Sequence, residues 1–242
     1  MLLKFVLMIG LVLAVFKTQA QSRTAIYLVH GQGSDQRLFD SLQFDTSRFE
    51  IRFLNYSTPS KGATMNAFAH ELAQQIDTTV PFILVGTSLG GMLCCEMQEF
   101  LHPEKVILIS SATNRNELPF RYRFQRAVPL YAIFPPRLLI GGAKMMQPLV
   151  EPDRKHNKVT FKSMLAGKNG IYMKRTIRMI IRWERTADAG KTIRIHGTND
   201  HTIPIRNIDK PTYVIKKGSH MITLTRAEEI SGFLREILKE EE

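Results

Sequence analysis

Cysteine is almost absent from this 242-residue chain: there are two, Cys94 and Cys95, and they are adjacent. Neighbours on a helix point about 100° apart, and a bond between them would be strained. No disulfide framework is therefore available, and both read as small buried hydrophobes. No internal repeat or low-complexity tract is present, which excludes solenoid and fibrous architectures. An apolar run of bilayer-spanning length is also missing. Lys4 precedes an uncharged stretch from Phe5 to Phe16, and Thr18-Gln19-Ala20 follow it. That stretch is shorter than the roughly 20 residues a spanning helix needs, but it suits the core of a signal peptide. Residues 1–20 are therefore expected to be a leader, with cleavage after Ala20 and export to the periplasm or the medium. An uncleaved membrane anchor is the alternative. No cysteine stands at the junction, which argues against a lipid anchor. An exported chain without disulfides depends on its core for stability.

Acidic residues are scarce in one place only. From Ala112 to Gly190 there are 5 Asp+Glu against 16 Lys+Arg, whereas the rest of the chain carries 17 of each. The whole net charge of +11 thus lies in one segment, which marks it as an inserted subregion. Its basic residues are not interleaved with the aromatics or motifs of a nucleic-acid module, so nucleic acid is not an expected partner. A stripe of Lys174, Arg178, Arg182 and Arg185 on a helix expected over Ile171 to Trp183 reads most simply as a solvated face. Weak association with an anionic membrane surface, or attraction of acidic substrates, is the sharper reading.

The most informative stretch is Pro81 to Gly91, PFILVGTSLGG. Phe82 to Val85 is an apolar run without alternation, as in a strand buried on both faces of a parallel sheet. Met92 to Phe100 reads as a helix. Ser88 then sits on a sharp turn between strand and helix, with Gly86 and Gly90 permitting their close approach. The turn exposes the hydroxyl and aims the N–H of Leu89 and the positive end of the helix at the same point.

Other strands are expected at Thr24 to Val29, Phe49 to Asn55, Val106 to Ile109, Thr192 to Ile195 and Pro211 to Ile215. Thr64 to Ile76 and Arg226 to Lys239 have the apolar spacing of amphipathic helices. Within the basic segment, Leu118 to Tyr131 has helical character apart from Pro129, and Lys158 to Ala166 reads as a further helix. Pro135-Pro136 and Gly141-Gly142 punctuate the stretch between. The first strand ends at His30-Gly31-Gln32-Gly33, where the N–H of Gln32 is a candidate oxyanion donor and its side chain a possible helper. His30 is expected to fix the loop, Asp35 or Ser34 to cap a short helix, and His70 to be solvated. Asp200 stands just past the fifth strand and His220 just past the sixth.

A serine hydroxyl needs a base to act as a nucleophile, and the imidazole base needs a carboxylate to hold its tautomer. Ser88, His220 and Asp200 supply these from strand ends, where a parallel sheet gathers its functional loops. Asp209 is the second choice for the acid. Ser110 to Asn114 offers none, Glu117 being the first carboxylate after that strand. His196 reads as a packing residue, and His201, bonded next to Asp200, is poorly placed for a relay. No metal or cofactor is expected, because His196 and His201 lack supporting ligand spacing.

At His30-Gly31, Gly86 to Gly90, Gly197 to Asp200 and Gly218 to His220 the chain resembles the α/β-hydrolase family. The order Ser, Asp, His along the chain is also the family's. The resemblance spans nearly all of Arg23 to Lys239. It implies an α/β fold with a mainly parallel sheet of about six strands flanked by helices, and a helical cap inserted at about residues 112–190 of a domain covering 21–242. It also implies a serine hydrolase cleaving a carboxylic ester, with thioester, lactone, amide or carbon–carbon hydrolysis open within the same fold. An exported binding protein without turnover is the reading of a different kind. Phe120, Phe124, Tyr131 and Met145 are the cap residues offered for an acyl pocket, although such spacing more often serves packing.

Overall fold

The computed structural model describes residues 23–151, 157–187, 190 and 192–239, so the leader expected over residues 1–20 lies outside the described residues. Six strands form the sheet: β1 (Thr24–Val29), β2 (Phe49–Phe53), β3 (Phe82–Thr87), β4 (Lys105–Ile109), β5 (Thr192–Gly197) and β6 (Tyr213–Ile215). All neighbours pair in parallel, in the order β2-β1-β3-β4-β5-β6. The α/β architecture and the strand number are those expected. β1, β3 and β4 are mostly apolar because both faces are covered, whereas β5 carries the buried Arg194 and His196. Ala25, Tyr27, Leu84 and Leu108 point into one half of the core, and Ile26, Leu28, Val85 and Ile109 into the other. This is the two-residue alternation of a strand, with neither face left to water.

Helices α1 (Met65–Ala73) and α2 (Leu89–Met97) supply Phe68, Leu72, Leu93, Cys94 and Cys95 to the first half of the core. Both cysteines are free and buried, and burial pushes the Cys95 thiol up to about 12. Between β4 and β5 come α3 (Phe120–Ala127), α4 (Leu130–Ile133), α5 (Pro136–Val150), α6 (Lys158–Ala166) and α7 (Gly170–Ile181). After β6 follow α8 (Ile222–Thr225) and α9 (Ala227–Ile237), and α9 buries Ile230, Leu234 and Ile237 in the second half of the core.

The basic segment departs from its sequence reading in two ways. First, residues 136–150 form a helix despite the Pro and Gly pairs. Pro136 is its first residue, where a missing N–H costs no helical hydrogen bond. A Cβ at Gly141 or Gly142 would meet nothing within 4 Å, so these glycines relieve no clash. Gly170 does: a Cβ there would lie 2.5 Å from the Pro136 carbonyl, so its absence lets α7 start against α5. Second, the cationic stripe is not simply a solvated face. Lys174 Nζ donates to the carbonyls of Ala132 and Phe134, and the Arg178 guanidinium to those of Gly62 and Ala63. Arg185 pairs with Glu99 at 2.8 Å. Short helices and loops leave carbonyls without backbone donors, and long cationic side chains reach them. The segment is thereby stitched to itself and to the core, a role that hydrophobic periodicity does not reveal.

Candidate active site

Ser88 lies between β3 and α2 with φ 54° and ψ −119°, a left-handed conformation that is costly for a residue with a Cβ. The surroundings hold it there. Its N–H donates to the Ile109 carbonyl at 3.0 Å, and its own carbonyl accepts from the Ser111 hydroxyl at 2.7 Å. A Cβ on Gly90 would stand 1.9 Å from the Val29 carbonyl oxygen, and one on Gly86 would stand 2.6 Å from the main chain of Gly90. Only glycine lets the turn close this tightly. The result is a serine hydroxyl raised above the carboxyl edge of the sheet.

The loop after β6 brings His220 to it. His220 Nε2 is 2.8 Å from Ser88 Oγ, and Nδ1 is 2.8 Å from Asp200 Oδ2. Because a carboxylate can only accept, Nδ1 carries the proton, which leaves Nε2 as acceptor for the serine hydroxyl. Asp200 is fixed in turn: its Oδ1 accepts from the N–H groups of Thr202 and Ile203, both at 2.8 Å. Burial alone would raise the Asp200 pKa, but the charges and hydrogen bonds of His220 and His196 outweigh it and hold the carboxyl well below its usual range. For His220 burial opposes the charged form, yet Asp200, with a further contribution from Glu151, lifts its pKa above the ordinary value. The three residues expected from the sequence are thus brought into one hydrogen-bonded chain.

Leu89 is the first residue of α2, and the first four N–H groups of a helix have no partner within it. Gln32 borders the same cavity as Ser88. Its side-chain amide is not available to a substrate as the sequence suggested. It donates to Thr176 Oγ1 at 2.7 Å and to the Met173 carbonyl at 3.5 Å, which ties the loop after β1 to α7. Only the Gln32 peptide N–H remains a candidate donor.

The alternatives fall away on contacts. Asp209 is exposed, and its main chain is held by Glu117 and Arg194. Glu117, the first carboxylate after β4, is buried with Arg194 at 2.6 Å and accepts from the Thr113 N–H as well. His30 is buried against Tyr56, and burial lowers its pKa to about 4, so it is a neutral loop support. Asp35 caps the short turn at residues 36–39. His70 stacks on Phe100 with ring centroids 3.7 Å apart, so it is not simply solvated. His201 bonds Asn199. His196 bonds the Ile203 carbonyl at 2.8 Å and lies 3.2 Å from Asp200 Oδ2, so it supports the acid as well as packing.

A cavity of about 250 Å³ opens beside Ser88 and His220. Its apolar wall includes Met92, Leu118, Tyr122, Phe161, Met164 and Met173. The cap residues offered from the sequence do not line it: Phe120, Phe124 and Met145 are exposed, and Tyr131 is buried elsewhere. One polar wall residue was not anticipated. Glu151, just past α5, is buried, and its Oε2 accepts from the Ser219 hydroxyl at 2.6 Å and the Met221 N–H at 3.1 Å, on either side of His220. Burial raises its pKa to about 7. No motif marks it, because it reaches the site from the middle of the inserted segment. Chemically, the arrangement offers a hydroxyl, a base to deprotonate it, a carboxylate to hold the base, and N–H groups at a helix start beside an apolar cavity.

Comparison with known proteins agrees with the fold. No curated protein matches the chain by sequence. A thermophilic esterase from Thermogutta terrifontis superposes with a TM-score of 0.65 at 18% identity, over 89% of each chain. The enol-lactonase from Burkholderia xenovorans LB400 gives 0.69 at 14% identity, over 92% of this chain and 94% of that one. MenH from S. aureus gives 0.68 at 14%, over 89% and 93%. The profile of the alpha/beta hydrolase family matches residues 26–232. With six parallel strands and a sharp strand–helix turn at Ser88, the chain belongs to the alpha/beta hydrolase family.

Proposed function

We propose that this protein is a serine hydrolase that cleaves a carboxylic ester through an acyl-enzyme. The observation that carries the reading is the continuous chain Ser88–His220–Asp200, with both links at 2.8 Å. Ser88 Oγ attacks the ester carbonyl carbon as its proton passes to His220 Nε2. The tetrahedral oxyanion is held by the N–H groups of Leu89 and Gln32, and each such donor contributes about 3–4 kcal/mol in a well-built site. Collapse breaks the bond to the alcohol oxygen, and His220 returns the proton to that leaving group. Water then attacks the acyl carbon with His220 as base, releasing the acid and restoring Ser88. Asp200 holds the Nδ1 tautomer and stabilises the imidazolium. The limited, apolar cavity suits a small acyl or alcohol group.

The test is turnover of p-nitrophenyl esters of increasing acyl length by the parent and by Ser88→Ala. The expected result is hydrolysis of short chains by the parent and a loss of about 10⁵-fold or more in the variant. A folded parent that turns over no ester, or a variant that retains activity, overturns the proposal.

A further inference from the structure

The apolar side chains missing from the cavity are on the outside of the cap. Phe120 is 70% exposed, Ile133 77%, Leu138 60% and Met145 76%, and Phe124 and Phe134 are also exposed. They come from α3, α4 and α5 and the turn between the last two. All three helices pack on α7, so these exposed side chains belong to one helical layer. The Phe120 and Phe124 rings lie 5.9 Å apart, and exposed Arg123 and Lys144 stand within the same stretch. Large apolar groups gathered on an outer surface mark an interaction site rather than scatter.

We propose that this outer face of the cap docks on a bilayer surface bearing anionic phospholipid. Charge selects that occupant. The segment carrying the face has 16 Lys+Arg and 5 Asp+Glu, while the rest of the chain is neutral. Many of those cations bond carbonyl oxygens, which are uncharged, so their positive field persists. A second copy of the chain would bring the same positive segment against itself. An anionic lipid surface offers both complements: headgroups for the cations and the acyl boundary for the aromatic and aliphatic tips. Among the described residues no helix is long and apolar enough to cross a membrane, so the contact is interfacial. The six side chains are absent from the wall of the cavity, so docking does not use the residues that line it.

The experiment is cosedimentation of the chain from Gln21 onward, which holds every described element, with phosphatidylcholine vesicles and with vesicles containing one quarter phosphatidylglycerol. The double variant Phe120→Ser/Ile133→Ser is run beside the parent. The expected result is binding by the parent to the anionic vesicles alone, weakened at about 1 M salt, where the screening length is about 3 Å. The double variant should partition about tenfold or more weakly with unchanged circular dichroism. No binding at low salt, equal binding to both vesicles, or full binding by the folded variant overturns the proposal. So does a parent dimer in light scattering that the variant abolishes. The readout is sedimentation, so it stands or falls independently of ester turnover.

Discussion

At the carboxyl edge of the sheet, side chains are held by short contacts out of reach of water. Asp200 is met by two peptide N–H groups and two imidazoles, and Glu117 by Arg194 and two N–H groups. In the helical layer above, Lys174 and Arg178 reach carbonyls from exposed or half-exposed positions, and large apolar side chains remain in water. The edge is therefore specified residue by residue. The cap is specified by reach and charge, and many sequences would satisfy it equally well. Buried directional contacts lose much when one partner is removed, whereas exposed ones are replaced by water.

Substitutions should separate the two regions. Asp200→Asn should lower kcat/KM by about 10³–10⁴-fold. It should also move the pH profile. The base must be neutral to act, so activity rises with pH through the His220 pKa, which lies above its ordinary value because of Asp200 and, to a smaller extent, Glu151. Removing the Asp200 charge should shift that acid limb to lower pH, as read from kcat/KM against pH. An unmoved limb would mean that Asp200 does not set the base. Glu117→Ala would leave Arg194 buried without its carboxylate, and should destabilise the fold by about 3–5 kcal/mol in urea titration. Glu151→Gln should move the acid limb in the same direction as Asp200→Asn but by less, with kcat reduced only a few-fold. Lys174→Ala, in the cap, should cost about 1 kcal/mol at most, because water can replace the exposed ammonium at the Ala132 and Phe134 carbonyls. A loss there comparable to that of Glu117→Ala would erase the contrast between the regions.

The same contrast explains what could be read from the sequence. The elbow was legible because Gly86 and Gly90, on either side of Ser88, stand where a Cβ would come within 1.9–2.6 Å of main-chain atoms. Asp200 and His220 could be singled out because each lies in the loop that leaves the carboxyl end of a strand, three residues past β5 and five past β6. β1, β3 and β4 were marked by burial on both faces, which leaves apolar runs. The cap was harder. Its helix over residues 136–150 has Pro136 at the first position but holds Gly141, Gly142 and Pro148 inside, so packing on α7 overrides the local signals. Phe120, Phe124 and Met145 have the composition of a pocket wall but face outward, because helical spacing shows which residues share a face and not what that face meets. Glu151 was invisible for the same reason: its place beside His220 comes from how the inserted segment folds back.

The most direct test is to label the chain from Gln21 onward with a fluorophosphonate ester and locate the adduct by peptide mass mapping. The account predicts one adduct, on Ser88, whose rate of formation follows the acid limb of the ester pH profile. An adduct elsewhere, or none on folded protein, would contradict the assignment of Ser88 as the nucleophile activated by His220.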